Sequence, residues 1–252
     1  MSRIKAAGSD RVFNIVNNAV LGIVLLLVLY PIYFIIIASI SDPNYVAQGN
    51  IWLIPKGINF EGYKSIFKDA VIWTGYKNSI IYSSIGTVIN ITVTILAAYA
   101  LSRKDLVGRN PLMFLFTFTM FLSGGLIPTY LIVKSLGLID KIGAMVLPNA
   151  LSVYYLIIAR TFFVTGIPDE LREAAVIDGC SNTRFFKAIV LPLSKAIIAV
   201  LALFYAVSHW NAFFNALIYM RREDKYPLQL ILRSILLENE IRENMTQTIG
   251  DA

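Results

Sequence analysis

AVLGIVLLLVLYPIYFIIIASI, from Ala19 to Ile40, runs for 22 residues without a charged side chain. As an α-helix it would reach roughly 33 Å, enough to cross a hydrocarbon layer of about 30 Å. The flanking charges are Arg11 and Asp42, so the charge-free gap is longer still. The stretch is about twice the apolar core of a secretory signal, and no small-residue cleavage site follows it. It reads as a retained membrane anchor.

The rest of the chain repeats the pattern. Charge-free gaps lie between Lys77 and Arg103, Arg109 and Lys134, Lys141 and Arg160, and Lys195 and Arg221. Of the 252 residues, 57% are hydrophobic and 15% charged, against about 25% charged in a soluble domain. In lipid the backbone must satisfy its own hydrogen bonds, so segments of these lengths are helices. The reading is an all-α integral membrane protein: one transmembrane domain over 1–252, with five transmembrane helices and a polar loop at 160–195.

Orientation follows from Lys and Arg. With the N-terminus cytoplasmic, inside and outside segments hold 11 each, and 11 against 6 without the C-terminal tail. The cytoplasmic N-terminus is therefore preferred. NFEGYKSIF, in the loop 41–77, patterns as a short amphipathic surface helix. YPLQLILRSILL (226–237) patterns as another, ahead of a polar, flexible end.

Several functions are excluded by what the spans lack. No Asp, Glu, Lys or Arg lies in any of them, and His209 is their one titratable group near neutral pH. A proton relay or an intramembrane metal enzyme needs more, and a lone histidine more often bonds to a neighbouring helix. No GxxxxGK[ST] phosphate loop is present, so ATP hydrolysis is not expected here. Cys180 is alone and makes neither disulfide nor thiolate metal site. The net charge of +6 is spread out, which suits lipid headgroups and offers nucleic acid no dense basic block. No catalytic residue, metal ligand or bound cofactor is expected.

The loop 160–195 is the most patterned polar segment. Pro168 suits a helix start, and Asp169 and Glu170 favour its first turn. Leu171, Ala174, Ala175 and Asp178 follow helical spacing. Gly179 permits the positive φ that ends a helix, and Ser181 or Asn182 can cap the next. Phe185, Phe186, Ile189 and Val190 form the apolar face of that second helix, and Pro192 marks its bend into the last span. Two short helices around a glycine turn make a knob fitted to a groove in a soluble partner.

The spacing of Glu173, Ala174, Ala175, Asp178, Gly179, Ile189, Leu191 and Pro192 resembles the EAA loop in membrane subunits of binding-protein-dependent ABC importers. LIPTYLIVKSLGLID (126–140), IPDELREAAVIDG (167–179) and HWNAFFNALIYM (209–220) are similar to the carbohydrate-uptake branch, in particular to permeases for complex oligosaccharides and polysaccharides. The resemblance covers most of 75–220. It implies a type I importer permease fold, and a coupling helix through which Glu173, Ala174, Ala175, Asp178, Gly179 and Pro192 dock on an ATPase. It further implies a bacterial plasma membrane location, a second permease subunit, two ATPases that bind ATP and Mg, and an extracytoplasmic solute-binding protein. Family members carry six spans; five charge-free gaps are found here.

Candidate pathway residues lie in the fifth span. Ser208, Asn211 and Asn215 fall at i, i+3 and i+7, with Trp210 and Phe214 at i, i+4. Amides can bond sugar hydroxyls and aromatic faces can stack on sugar rings, but the same stripe suits polar helix packing. Ser79, Ser83, Gly86 and Asn90 form a small-residue packing face in the second span. Ser123, Gly124, Gly125 and Pro128 break the third. The expected function is the permease subunit of an ATP-driven oligosaccharide importer. A non-transporting assembly or translocase subunit, or an ABC permease for peptides or another solute, is the alternative.

Overall fold

A computed structural model describes residues 8–250, and among them there are helices and no strands. The chain divides at Asp69 and Ala70 into two compact units.

The first unit is built on α1, Gly8–Ser39, in which Pro31 is accommodated. From Val12 to Ser39 the helix is long and apolar enough to cross a membrane, and nearly all its side chains are exposed. The loop after it carries α2 (Pro43–Ala47) and α3 (Glu61–Lys68). Asp42 caps α2 by accepting from the Asn44 N–H at 2.8 Å. The amphipathic helix expected in NFEGYKSIF is α3.

The second unit is organised around α4, Ala70–Ser102, 33 residues and about 50 Å long. The expected packing face is turned inward: Ser79, Ser83, Gly86 and Asn90 are all buried. Next come α5 (Arg109–Phe121) and α6 (Leu126–Ser135), bent by 114°. The break spans Leu122–Gly125, where Gly125 has φ +84. Then α7 (Ile142–Val146), a 3-10 turn at Leu147–Asn149 and α8 (Val153–Gly166) form a pair bent by 55°.

The polar loop follows as α9 (Asp169–Ile177) and α10 (Asn182–Phe185). A π-helical turn at Phe186–Val190 and α11 (Leu191–Leu193) lead to α12, Lys195–Trp210. The bend there is 76° and falls at Ser194, two residues past Pro192. Last are α13 (Phe213–Tyr219) and α14 (Leu228–Gly250).

Among the described residues, two helices are thus long and apolar enough to cross a membrane unbroken, and up to five segments are if each bent pair is one span. Contacts with α4 show that the first two bent pairs run alongside it. Asp140, after α6, lines a cavity with Asn78 and Tyr82 near one end of α4, whereas α5 begins near its other end. In the same way Ala144, Met145 and Val146 pack in one cluster with Tyr82, while Ala159 and Phe163 pack with Ala98 and Leu101.

Two expectations are corrected. The fifth span is not one helix over 195–221: it stops at Trp210, where the Asn211 side chain bonds back to the Val207 carbonyl at 2.8 Å and ends the helix. The tail is not a short helix with a loose polar end; α14 continues to Gly250. No Gly or Pro interrupts 228–249, and Glu, Gln, Met and Arg favour helix. Its start is fixed from outside: Leu228, Leu230 and Ile231 are buried, and the Ser79 hydroxyl accepts the Leu228 N–H at 2.9 Å.

Candidate functional site

A cavity of ≈ 430 Å³ opens where two breaks in the helices face each other, one after Asn149 and one after Trp210. A broken helix frees backbone groups, which at membrane depth need partners. Side chains of α4 and α12 provide them. Buried Asn90 donates its amide to the Asn149 carbonyl at 2.8 Å. Tyr205 Oη accepts the Ser152 N–H at 3.3 Å and lies 2.7 Å from the Thr94 hydroxyl. His209 Nε2 stands 3.2 Å from Asn90 Oδ1. This is possible because position 86 is glycine: a Cβ there would run into the imidazole.

The lining is polar yet without formal charge. Asn90, Ser152, Ser208, His209 and Asn215 supply hydrogen-bonding groups, and Tyr154, Tyr155 and Tyr205 supply hydroxyls and ring faces. The rings are held by one another. Tyr155 stacks on Phe204 at 5.8 Å and meets Tyr205 edge-on at 4.9 Å. Such a surface can bind a polyhydroxylated ring through hydroxyls and C–H faces.

Of the pathway residues expected from sequence, Ser208 and Asn215 line this cavity. Asn211 does not; its amide is engaged in ending α12. Trp210 packs toward Tyr76 at 6.3 Å. Phe214 is exposed beside Phe213. Because the helix breaks at Asn211, the i, i+3, i+7 stripe is not one continuous face. Sequence reasoning missed Asn90, Ser152, Tyr154, Tyr155 and Tyr205 as wall residues. Asn90, a fully polar side chain amid an apolar gap, was the available signal.

The polar loop forms the second candidate surface. Pro168 precedes α9, and Gly179 follows it with φ +69. The Cys180 N–H closes the turn on the Ala175 carbonyl at 2.8 Å. Ser181, of the two candidate caps, accepts the Arg184 N–H at 3.3 Å. Ala175 is buried, whereas Glu173, Ala174, Asp178, Gly179 and Pro192 are exposed. Leu171 and Ala174 therefore do not share the inward face of Ala175. The outward face instead presents Val176 and Ile177, the latter 86% exposed.

Ion pairs fasten this loop to the end of α4. Asp105 receives Arg103 at 2.6 Å and Arg172 at 3.1 Å, and Lys104 reaches Asp169 at 2.6 Å. The Arg103 hydrogen bond holds the Asp105 carboxyl far below the usual carboxylate range. The Lys104 hydrogen bond lowers that of Asp169. Arg103 also bonds Tyr99 Oη at 3.0 Å and Asn182 at 3.3 Å, and Tyr99 packs on Phe186 at 4.8 Å. One buried cluster contains Ala175 and Phe185 of the loop, Ala98 and Leu101 of α4, and Leu201 and Tyr205 of α12. Among the described residues, no group of three or more His, Cys, Asp or Glu stands together as a metal site.

Comparison with known proteins matches no protein-family model. The chain is 41% identical over 228 residues to the "Polygalacturonan/rhamnogalacturonan transport system permease protein YtcP" of Bacillus subtilis (strain 168), covering 90% of this chain and 79% of that one. It is 42% identical over 243 residues to "Protein LplC" of the same organism, covering 96% and 81%. To the "sn-glycerol-3-phosphate transport system permease protein UgpE" of Salmonella typhimurium it is 32% identical over 211 residues, covering 81% and 75%. A solved chain from a bacterial ABC transporter involved in import of the acidic polysaccharide alginate superposes with a TM-score of 0.86 at 36% identity, covering 92% of this chain and 82% of that one.

Proposed function

The chain belongs to the permease subunits of ABC transport systems, in their carbohydrate-uptake branch, and on that premise we propose that it forms one side of the path by which an oligosaccharide crosses the bacterial plasma membrane. In this reading 1–252 works as one permease domain with its N-terminus cytoplasmic, and 160–195 is its coupling loop. A second permease subunit completes the path. Two ATPase subunits, which bind ATP and Mg, dock on α9, and an extracytoplasmic binding protein delivers the solute.

The observation that carries the reading is the single buried cluster joining Ala175 and Phe185, in the loop, to Leu201 and Tyr205 of α12, of which Tyr205 lines the cavity. A close-packed core transmits displacement rather than absorbing it. When the ATPases close, α9 moves as a rigid body, and ion pairs to Asp105 and Asp169 carry the end of α4 with it. Tyr205 shifts against Thr94 and Ser152, and the cavity walls on α4, α8 and α12 re-space. The solute is held meanwhile by amides, hydroxyls and ring faces. The uncharged lining supports recognition of sugar hydroxyls over pairing with carboxylates.

The test is co-purification of the complete transporter in detergent. Glu173→Lys combined with Gly179→Pro is expected to insert normally and lose the ATPase subunits. Ser208→Ala with Asn215→Ala is expected to keep the ATPases and lose sugar uptake. Equal ATPase retention by wild type and the loop variant would overturn the docking assignment.

A further inference from the structure

Trp52, Leu53 and Ile54 are consecutive and 73%, 61% and 73% exposed. They sit in the loop between α1 and α3, and that loop is folded back along the end of α1. The Asp42 N–H bonds the Lys56 carbonyl at 3.1 Å, and the Lys56 N–H reaches Ser41 Oγ at 3.3 Å. These bonds set Lys56 level with the residues just past the helix. Three residues earlier the level differs: Tyr33 Oη donates to the Leu53 carbonyl at 2.5 Å. Tyr33 lies six residues inside the end of α1 at Ser39, which is about 9 Å of helix. Side chains lean toward the helix N-terminus, so the hydroxyl is no shallower than its Cα.

The chain therefore dips beside α1 and returns. Ile51, in the loop, and Ile37, in α1, are buried. Tyr33 satisfies the Leu53 carbonyl, the kind of backbone group that is costly to leave free in lipid. Lys56 stands at the rim, and Ser39 Oγ lies 2.7 Å from Tyr63 Oη of α3. The exposed trio shares its depth with the exposed apolar surface of a membrane-crossing helix.

We propose that residues 51–55 form a wedge inserted into the bilayer leaflet in which α1 ends, with Trp52, Leu53 and Ile54 against the upper acyl chains. The occupant is lipid, because the patch continues, at the same depth, the exposed apolar surface of a helix long and apolar enough to cross a membrane. Depths of about 5–10 Å are those of interfacial amphipathic anchors. The inference is independent of which solute is carried.

The test is spin-label accessibility in the complete transporter, reconstituted in lipid nanodiscs on a Cys180→Ser background. Labels are placed at Trp52→Cys, Leu53→Cys and Ile54→Cys, with Val24→Cys in mid-α1 and Gln48→Cys on the exposed turn as references. The oxygen-to-nickel-chelate accessibility ratio is expected to be several-fold higher at 52–54 than at 48, and to approach that at 24. A ratio at 52–54 equal to that at 48 would place the loop in water. Low accessibility to both probes would mean that a partner protein covers it. Either result overturns the proposal.

Discussion

Nε2 of His209 lies 3.2 Å from the amide oxygen of Asn90, whose amide nitrogen donates to the Asn149 carbonyl at 2.8 Å. One side chain on α4 thus holds two helix breaks at a single cavity. Gly86, one turn before Asn90, leaves the space in which the imidazole sits. Gly86→Ala should overpack this contact and destabilise the protein by about 1–3 kcal/mol. His209→Ala in the same chain should recover much of the loss. Thermal unfolding of the purified transporter checks both, and additive losses would show that the two positions are not coupled.

Tyr205 serves both the Ser152 N–H and the Thr94 hydroxyl. Tyr205→Phe orphans a backbone donor at a helix break and should cost roughly 1–3 kcal/mol. Thr94→Val should cost less, since the Tyr205 hydroxyl still serves Ser152. A double-mutant cycle is expected to give a coupling of about 0.5 kcal/mol or more.

The Asp105 cluster should act mechanically more than thermodynamically. Its pairs are partly exposed, and exposed pairs contribute about 0–1 kcal/mol. Arg172→Ala should therefore change thermal stability little while loosening α9, lowering sugar uptake per ATP hydrolysed. The measurement is the transport-to-hydrolysis ratio in proteoliposomes; an unchanged ratio would contradict rigid coupling through Asp105.

The same pair has a defined pH response. The folded carboxyl of Asp105 is held below its ordinary value by the Arg103 hydrogen bond. A lowered folded value means that the contribution is complete above the unfolded value, near 4, and is lost as pH falls through the folded one. The stability difference between wild type and Asp105→Asn should be flat from about pH 5 to 8 and shrink only in strong acid. A difference that stays unchanged with pH even in strong acid would show that Arg103 does not engage this carboxylate.

Asp140 has φ +64, and its carboxylate accepts from Lys225 Nζ at 2.9 Å and from the Arg221 N–H at 3.3 Å. Left-handed backbone tolerates Gly and Asn better than Ala. Stability should therefore rank wild type, then Asp140→Asn, then Asp140→Ala. Asp140→Gly should exceed Asp140→Ala because it relieves the backbone while losing the same side-chain bonds. Unfolding midpoints of the four proteins decide the order.

The sequence by itself determined that this chain lives in a membrane, because uncharged runs of such length have no other low-energy environment. It also determined the two short helices of the polar loop, since Pro168, Gly179 and Ser181 act through local backbone geometry that spacing encodes directly. The break at Ser123–Gly125 was legible for the same reason. Tertiary structure alone decided the cavity. Asn211 is a wall residue by periodicity, yet its amide ends α12 instead. Asn90, in a face that reads as packing, reaches two helix breaks on either side. Those assignments depend on which backbone groups are orphaned where helices break, and on which distant side chains arrive to satisfy them. The pairs concerned, Asn90 with Asn149 and Thr94 with Tyr205, are 59 and 111 residues apart, and no local pattern encodes a partner at that separation.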